Sequence, residues 1–247
     1  MSGYRTMETG AARATGVRER ADRIVALTET DVLTDQLGEN ADDVIGDLRA
    51  LRKPRMFIIS GPSGVGKDTV IEAMRIRYPE AYFAVTATTR QRRPGEIDGV
   101  HYYFMDMEAF ESRLADGEFL ESALVYGHRY GVPRGPIRAA LGRGQDVFVK
   151  VDIQGADSIR SLVPRAISVF LAPESMASLL QRLRARKTDD PEALMKRFGT
   201  ASRELASASD FDYVIFNESD RVEQAVELIA AIVSAERART VQHDISL

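Results

Sequence analysis

One apolar run that turns abruptly into a glycine-rich loop constrains this chain more than any other stretch. Phe57–Ser60 fits a buried strand, Gly61–Lys67 has the spacing Gly-x-x-x-x-Gly-Lys, and a helical pattern follows. Such glycines let successive backbone N–H groups point at phosphate oxygens, and the lysine reaches the outer phosphates. The N-terminal end of the next helix adds positive potential. We therefore predict a nucleotide-binding P-loop, formed by Gly61, Pro62, Ser63, Gly64, Val65, Gly66, Lys67, Asp68 and Thr69.

Asp68 departs from the usual P-loop pattern. A serine or threonine normally stands at this position, where its hydroxyl binds Mg²⁺. The Asp68 carboxylate could bind the ion directly, with Thr69 as a weaker substitute. Otherwise the nucleotide phosphates and water would hold Mg²⁺, which keeps several waters in most protein sites. Asp68 is thus the candidate metal ligand, and the question of how Mg²⁺ is held stays open.

Composition excludes several classes of function. The chain has 247 residues, 44% of them hydrophobic, which is enough for one full core with a small appendage. Its net charge of −4 argues against nucleic acid or an anionic membrane as partner. Absence of cysteine excludes disulfides and thiolate catalysis, and three histidines argue against a histidine metal site. Without a long apolar stretch or a signal-like N-terminus, we expect a cytoplasmic protein.

The order of patterns predicts an extension followed by one α/β domain. Residues 1–53 are polar, with amphipathic patches at Val17–Leu27 and Ala41–Leu51. These patches fit either a docking or dimerisation helix, or an extension that packs loosely or is partly disordered. From residue 54 to 247, strands such as Tyr82–Thr86 alternate with helices, which predicts a mainly parallel sheet flanked by helices. The predicted helices include Met107–Ala115, one near Ser158–Leu162 and one that begins at Pro191. Ligands bind such sheets at the carboxyl ends of the strands. A hairpin-rich stretch at about 86–135 is predicted to be a small inserted subdomain.

Two further groups carry predicted chemistry. Asp152 ends an apolar strand, where it would hold Mg²⁺ through water or position an acceptor; the alternative is that it caps the next segment. Arg182, Arg186 and Arg197 flank a polar segment between two helices. Arginines on such a segment would neutralise a transferring phosphoryl group and exclude water, so a helical lid is predicted at about 184–200. The alternative is a solvated, arginine-rich helix face.

A set of motifs between the P-loop and the lid resembles the signature of guanylate kinases. The motifs are Thr88–Arg90, Arg93–Glu96, Gly99, Tyr102–Phe104, Phe119–Glu121 and Tyr130–Gly131, together with Val151–Gly155 and Asn217. The resemblance covers about residues 55–234. It implies a P-loop kinase core, an inserted GMP-binding subdomain, ATP as phosphoryl donor, and Mg²⁺.

The resemblance also implies roles for individual residues. The GMP phosphate would be bound by Arg90, Arg93, Tyr102 and Tyr130, with Thr86 nearby. Glu121 would accept hydrogen bonds from guanine N1–H and the exocyclic amine, which selects guanine over adenine. Asp152 would add to guanine or metal-water contacts, and Asn217 to the adenine pocket. Lys67, Arg182, Arg186, Arg197 and Asp152 would be the catalytic residues.

The sequence departs from the guanylate kinase pattern at three positions and leaves two alternatives open. Val132 stands where the family usually carries a small hydroxyl residue, and Lys150 stands where it commonly has another aspartate. In the P-loop, Asp68 replaces the usual serine or threonine. A Gly-Lys-Asp loop also resembles kinases that phosphorylate ribose 1,5-bisphosphate, although those lack the tyrosine-rich signature. A non-catalytic binding module is the second alternative. A monomer and a homodimer are both compatible with the sequence.

Overall fold

A computed structural model describes residues 18–19, 22, 42–48, 52–125, 127–185, 191–239, 245 and 247. Two compact units are present. One contains Met1–Lys53 with Ser234–Asp244, and within it residues 42–48 are helical. Most of the two amphipathic patches predicted in residues 1–53 lies outside the described residues. The other unit, Pro54–Val233 with Ile245–Leu247, carries both sheets.

A five-stranded parallel sheet forms the centre of the larger unit, in the order β2-β7-β1-β8-β9. Its strands are β1 (Met56–Ser60), β2 (Tyr82–Phe83), β7 (Val147–Lys150), β8 (Ile167–Pro173) and β9 (Tyr213–Asn217). A second sheet has the order β4-β3-β6-β5. It contains β3 (Thr86–Thr88), β4 (Tyr102–Phe104), β5 (Phe119–Val125) and β6 (His128–Pro133). In this sheet β6 is antiparallel to both β3 and β5, whereas β3 and β4 are parallel.

Seven named helices connect these strands in the part of the chain from Pro54 onward that the structure describes. They are α1 (Lys67–Arg77), α2 (Met107–Ala115), α3 (Arg134–Gly142), α4 (Ile153–Leu162), α5 (Met176–Ala185), α6 (Pro191–Glu204) and α7 (Val222–Arg237). A short 3₁₀ segment, Leu205–Asp210, follows α6. Within the described residues, no helix has the length and apolarity needed to cross a membrane.

Strand β1 divides two hydrophobic clusters, which explains why its sequence is apolar throughout. Phe57 and Ile59 pack with residues of α1 and α7, whereas Met56 and Ile58 pack with residues of α3 and α4. Successive side chains of a strand point to opposite faces, so helices cover both faces of the parallel sheet. The predicted α/β class with a mainly parallel sheet flanked by helices is confirmed.

Two predicted element boundaries are wrong. Tyr82–Thr86 was expected to be one strand, but β2 pairs with β7 in the parallel sheet and β3 pairs with β4 and β6 in the other. The chain leaves one sheet and enters the other within this apolar stretch. The helix predicted near Ser158–Leu162 begins earlier than expected, at Ile153, because the Asp152 side chain caps its first turn.

Candidate active site

The loop between β1 and α1 has the backbone conformation that its glycines permit. Gly61, Gly64 and Gly66 have φ values of 140°, 88° and 98°, in the region that disfavours other residues. A Cβ atom on Gly61 would also collide with the carbonyl oxygen of Leu171 on β8. The Lys67 Nζ atom lies 2.5 Å from the Gly61 carbonyl oxygen and 3.2 Å from that of Pro62. The lysine is therefore folded back over the loop at the carboxyl end of the sheet.

The side chains of Arg182 and Asn217 donate hydrogen bonds to the backbone of this loop. The Arg182 guanidinium donates to the Val65 carbonyl (3.0 Å) and to the Asn217 carbonyl (3.0 Å). The Asn217 amide group donates to the same Val65 oxygen over 2.7 Å, and its side chain is buried. Neither side chain lines the cleft in front of the loop. The structure thus shows both residues supporting the loop, and a catalytic role for Arg182 and an adenine contact for Asn217 stay predictions.

The second sheet brings a group of arginine and tyrosine side chains to the opposite wall of the cleft. The Arg90 guanidinium bonds Glu96 (Nη2 to Oε1, 2.7 Å), and its Cζ lies 5.4 Å from the centroid of the Tyr102 ring. The Tyr102 and Tyr130 rings meet edge to face at 6.2 Å. Arg93 is exposed and lines the same cleft. These predicted phosphate-binding residues are therefore close to one another and face the P-loop.

Glu121 and Thr86 supply buried polar atoms to the same cleft. Both residues are buried, and Glu121 Oε2 and Thr86 Oγ1 have no hydrogen-bond partner among the described residues. Burial, with a smaller effect of the Asp152 carboxylate, raises the pKa of Glu121 to about 8. An unsatisfied buried polar atom costs free energy and calls for an explanation. A ligand that donates hydrogen bonds here would supply one.

Asp152 both caps a helix and lines the cleft. Its Oδ1 atom accepts a hydrogen bond from the Gly155 backbone N–H (2.9 Å), so it is the N-cap of α4. The same residue lines the cleft beside Glu121 and Lys150. The capping alternative raised by the sequence is therefore observed, and it coexists with a position in the candidate site.

Substitutions can separate the capping role of Asp152 from the role of its charge in the cleft. We expect Asp152→Ala to lower the free energy of unfolding by about 1 kcal/mol because the cap is lost. Asp152→Asn should retain wild-type stability, since asparagine caps as well as aspartate, but it removes the charge from the cleft. Urea denaturation measures the first effect, and initial rates with nucleotide substrates measure the second. Full activity of Asp152→Asn would limit Asp152 to capping.

Comparison with known proteins decides the family. Residues 53–236 match the family model described as guanylate kinase. The chain belongs to the guanylate kinase family. It is 44% identical over 189 residues to a guanylate kinase of Carboxydothermus hydrogenoformans, covering 76% of this chain and 92% of that protein.

Two further members of the guanylate kinase family show how far the similarity extends. A protein of Oryza sativa, named guanylate kinase 2, chloroplastic/mitochondrial, is 41% identical over 196 residues, covering 79% of this chain and 69% of that protein. The crystal structure of guanylate kinase from Anaplasma phagocytophilum superposes with a TM-score of 0.62 at 30% identity. That alignment covers 76% of this chain and 89% of the other.

The departures from the guanylate kinase pattern have clear positions in the structure. Val132 is fully buried and belongs to the core cluster around β1, and it does not line the cleft. Lys150 and Asp68 do line it, and Lys150 Nζ lies 2.5 Å from Asp68 Oδ1. Among the described residues, no group of three or more acidic or histidine side chains could hold a metal ion. Mg²⁺ is commonly bound by one or two carboxylates together with substrate phosphates, so Asp68 as a direct ligand stays a prediction.

Some predicted site residues of this guanylate kinase family member lie elsewhere or outside the described part. Arg186 and the Arg197 side chain are outside the described residues, as is most of the lid segment between α5 and α6. Thr69 is exposed, and Pro62 and Val65 are buried beneath the loop. The remaining predicted residues line one cleft: Gly61, Ser63, Gly64, Gly66, Lys67, Asp68, Thr86, Arg90, Arg93, Tyr102, Glu121, Tyr130 and Asp152.

Glu204 is a cleft residue that sequence reasoning missed. It ends α6, lines the cleft, and its carboxylate forms a hydrogen bond with the Ser63 backbone in the P-loop. Its Oε2 atom is buried without a hydrogen-bond partner. Burial raises the pKa of Glu204, although the nearby Lys67 opposes that rise. Glu204 is about 140 residues from the P-loop in sequence, and no local motif marks it, so only the fold reveals this contact.

Proposed function

We propose that this chain transfers the terminal phosphoryl group of ATP to GMP, producing ADP and GDP. The observation that carries the proposal is the set of residues that line one cleft. Its first wall is the P-loop with Lys67, and its second wall carries Arg90, Tyr102 and Tyr130 around the buried Glu121. Membership of the guanylate kinase family supports the same reaction.

The P-loop is proposed to bind the phosphates of ATP. Its glycines leave backbone N–H groups free to approach phosphate oxygens, and the α1 N-terminus adds positive potential. Lys67 now contacts two loop carbonyls, so a phosphate would replace those contacts with a charge-assisted one. Arg182 and Asn217 would act indirectly, by fixing the Val65 carbonyl and hence the shape of the loop.

The opposite wall is proposed to bind GMP. Arg90, Arg93 and the two tyrosine hydroxyls match the oxygens of a phosphate, because guanidinium groups bind oxyanions through paired N–H donors. Glu121, with its unsatisfied Oε2, would accept hydrogen bonds from guanine N1–H and N2–H. Adenine has no donor at N1 or at C2, so the same carboxylate would be left unpaired by AMP.

The reaction is proposed to proceed by direct in-line transfer. An oxygen of the GMP phosphate bonds to the γ-phosphorus while the bond from that phosphorus to the ADP oxygen breaks. Lys67 and the arginines offset the charge on the transferring group, and Arg186 and Arg197 would join them from a closing lid. Mg²⁺ would enter with ATP and would add positive charge at the ATP phosphates.

A nucleotide panel tests the proposal. GMP, dGMP, AMP, UMP and ribose 1,5-bisphosphate are each offered with ATP and Mg²⁺, and ADP release is followed in a coupled assay. We expect turnover with GMP to exceed that with AMP by orders of magnitude. Turnover of ribose 1,5-bisphosphate without turnover of GMP would favour the sugar-phosphate alternative, and no turnover at all would favour a binding module. Cytoplasmic location and a monomeric or homodimeric state remain proposals from the sequence.

A further inference from the structure

Two departures from the family pattern are in direct contact. Asp68 is in the first turn of α1, where a hydroxyl residue is usual, and Lys150 ends β7, where another aspartate is common. Lys150 Nζ lies 2.5 Å from Asp68 Oδ1, although 82 positions separate the residues in sequence. The two side chains therefore form an ion pair that joins the first turn of α1 to the end of β7.

The Lys150 ammonium group is held on the side of the cleft proposed to bind GMP. Its side chain is only 17% exposed, its Nζ lies 4.8 Å from the centroid of the Tyr102 ring, and the Tyr102 hydroxyl is 3.4 Å away. The Lys150 ammonium group is therefore fixed between Asp68 and Tyr102.

A second cation shares the Tyr102 ring. The Arg90 Cζ atom lies 5.4 Å from the ring centroid, and its guanidinium is paired with Glu96. Each of the two cations therefore has a carboxylate partner, Glu96 for Arg90 and Asp68 for Lys150. The Asp68 side chain is 65% exposed, so water screens its attraction for Lys150. A phosphate dianion at Tyr102 would attract both cations.

We propose that Lys150 binds the phosphate of GMP and that Asp68 positions its ammonium group instead of serving as a Mg²⁺ ligand. This inference rests on the proposed function and adds a binding residue and a positioning residue to it. The two roles of Asp68 exclude each other. A divalent cation on the Asp68 carboxylate would lie beside the Lys150 ammonium, and like charges at such distances repel strongly in a partly buried site.

The test compares two ligands that differ only in the phosphate. Binding of GMP and of guanosine is measured by calorimetry for the wild type and for Lys150→Met, which keeps an unbranched apolar side chain but removes the ammonium group. We expect GMP affinity to fall about tenfold or more, the usual effect of losing one charge-assisted hydrogen bond, with guanosine affinity unchanged. Lys150→Arg should retain most of the GMP affinity because it keeps the charge. Arg77→Met, which breaks the remote surface pair with Glu227, is the matched control.

A double-mutant cycle tests the role of Asp68. Asp68→Asn should weaken GMP binding several-fold in the wild type and have little further effect in Lys150→Met, because its effect acts through Lys150. The Mg²⁺ dependence of ATP binding should be unchanged. Independent effects of the two substitutions, or a higher Mg²⁺ requirement in Asp68→Asn, would overturn the inference. So would equal losses of GMP and guanosine affinity in Lys150→Met. A wild type that binds GMP no better than AMP would instead remove the proposed function.

Discussion

Lys67→Ala is expected to lower kcat for GMP phosphorylation by about 10²–10³-fold, the cost of losing one preorganised group that stabilises transition-state charge. Lys67 is the first residue of α1, and its ammonium contacts the Gly61 and Pro62 carbonyls. Because burial lowers the pKa of Lys67, its charge is costly in the ligand-free protein. That cost is offset when a phosphate binds, so the lysine contributes to catalysis more than to folding.

The Lys67→Ala experiment needs a readout of folding beside the rate. Circular dichroism and thermal melting should show a fold as stable as the wild type, or slightly more stable, since a buried charge has been removed. Arg77→Met serves again as the control, because its ion pair with Glu227 is exposed and of little energetic value. Near-wild-type turnover of Lys67→Ala would remove this residue from the mechanism. A collapsed fold would show that its loop contacts are mainly structural.

The sequence predicted well those features that depend on neighbouring residues. The P-loop, the α2 bounds Met107–Ala115 and the helix start at Pro191 all follow from local signals such as glycine spacing and proline preference. The break between β2 and β3 could not be seen. Ala84 and Val85 continue an apolar stretch, and only the pairing of β2 with β7 and of β3 with β6 separates the two strands.

The same difference between local signals and long-range contacts applies to the site residues. Glu121, Arg90 and Tyr102 were predicted from motifs, and the fold brings them into one cleft with the P-loop. The contacts that join distant segments were not predictable from any motif. Examples are the Arg182 guanidinium on the Val65 carbonyl and the Glu204 carboxylate on the Ser63 backbone. These two contacts place residues of α5 and α6 against the P-loop. Local sequence patterns cannot indicate such contacts between distant segments.

Glu121 illustrates how a binding site can oppose stability. Gly155 leaves room for its carboxylate, since a Cβ there would lie 3.1 Å from Oε2. The carboxylate is buried, its Oε2 is unsatisfied, and it lies near the like-charged Asp152. Each of these conditions disfavours its ionised form. Guanine requires that same ionised form, because it presents two N–H donors to the carboxylate. Glu121 is therefore the residue where function and folding conflict most directly.

Glu121→Gln is expected to weaken GMP binding about 100-fold, with little change in ATP binding. The amide keeps one acceptor, but its NH₂ group opposes a guanine donor, and each lost charge-assisted hydrogen bond costs about 1.5–3 kcal/mol. The GMP-to-AMP preference should fall accordingly. Calorimetric titration with GMP, AMP and ATP measures all three affinities. Equal losses for GMP and ATP would contradict a role in reading the base.

The same substitution should change how stability depends on pH. With a pKa of about 8 in the folded protein and an ordinary value of 4.5, Glu121 is protonated when folded and ionised when unfolded between these limits. Folding then takes up a proton, so the free energy of unfolding falls as pH rises through this window and levels off above it. Glu121→Gln lacks this contribution. Its melting temperature should match the wild type near pH 4.5 and exceed it increasingly toward pH 8.

GMP affinity should follow the opposite trend. Only the ionised fraction of Glu121 accepts both guanine donors, so the apparent wild-type Kd should rise about tenfold for each pH unit below 8 as that fraction shrinks. Asp152→Asn removes the neighbouring charge that helps to raise the pKa of Glu121, so both transitions should move to lower pH. Parallel melting curves for wild type and Glu121→Gln, with a pH-independent Kd, would show that the buried carboxylate is already ionised. In that case a cation near Glu121, and not the guanine, would have to stabilise the negative charge of the Glu121 carboxylate.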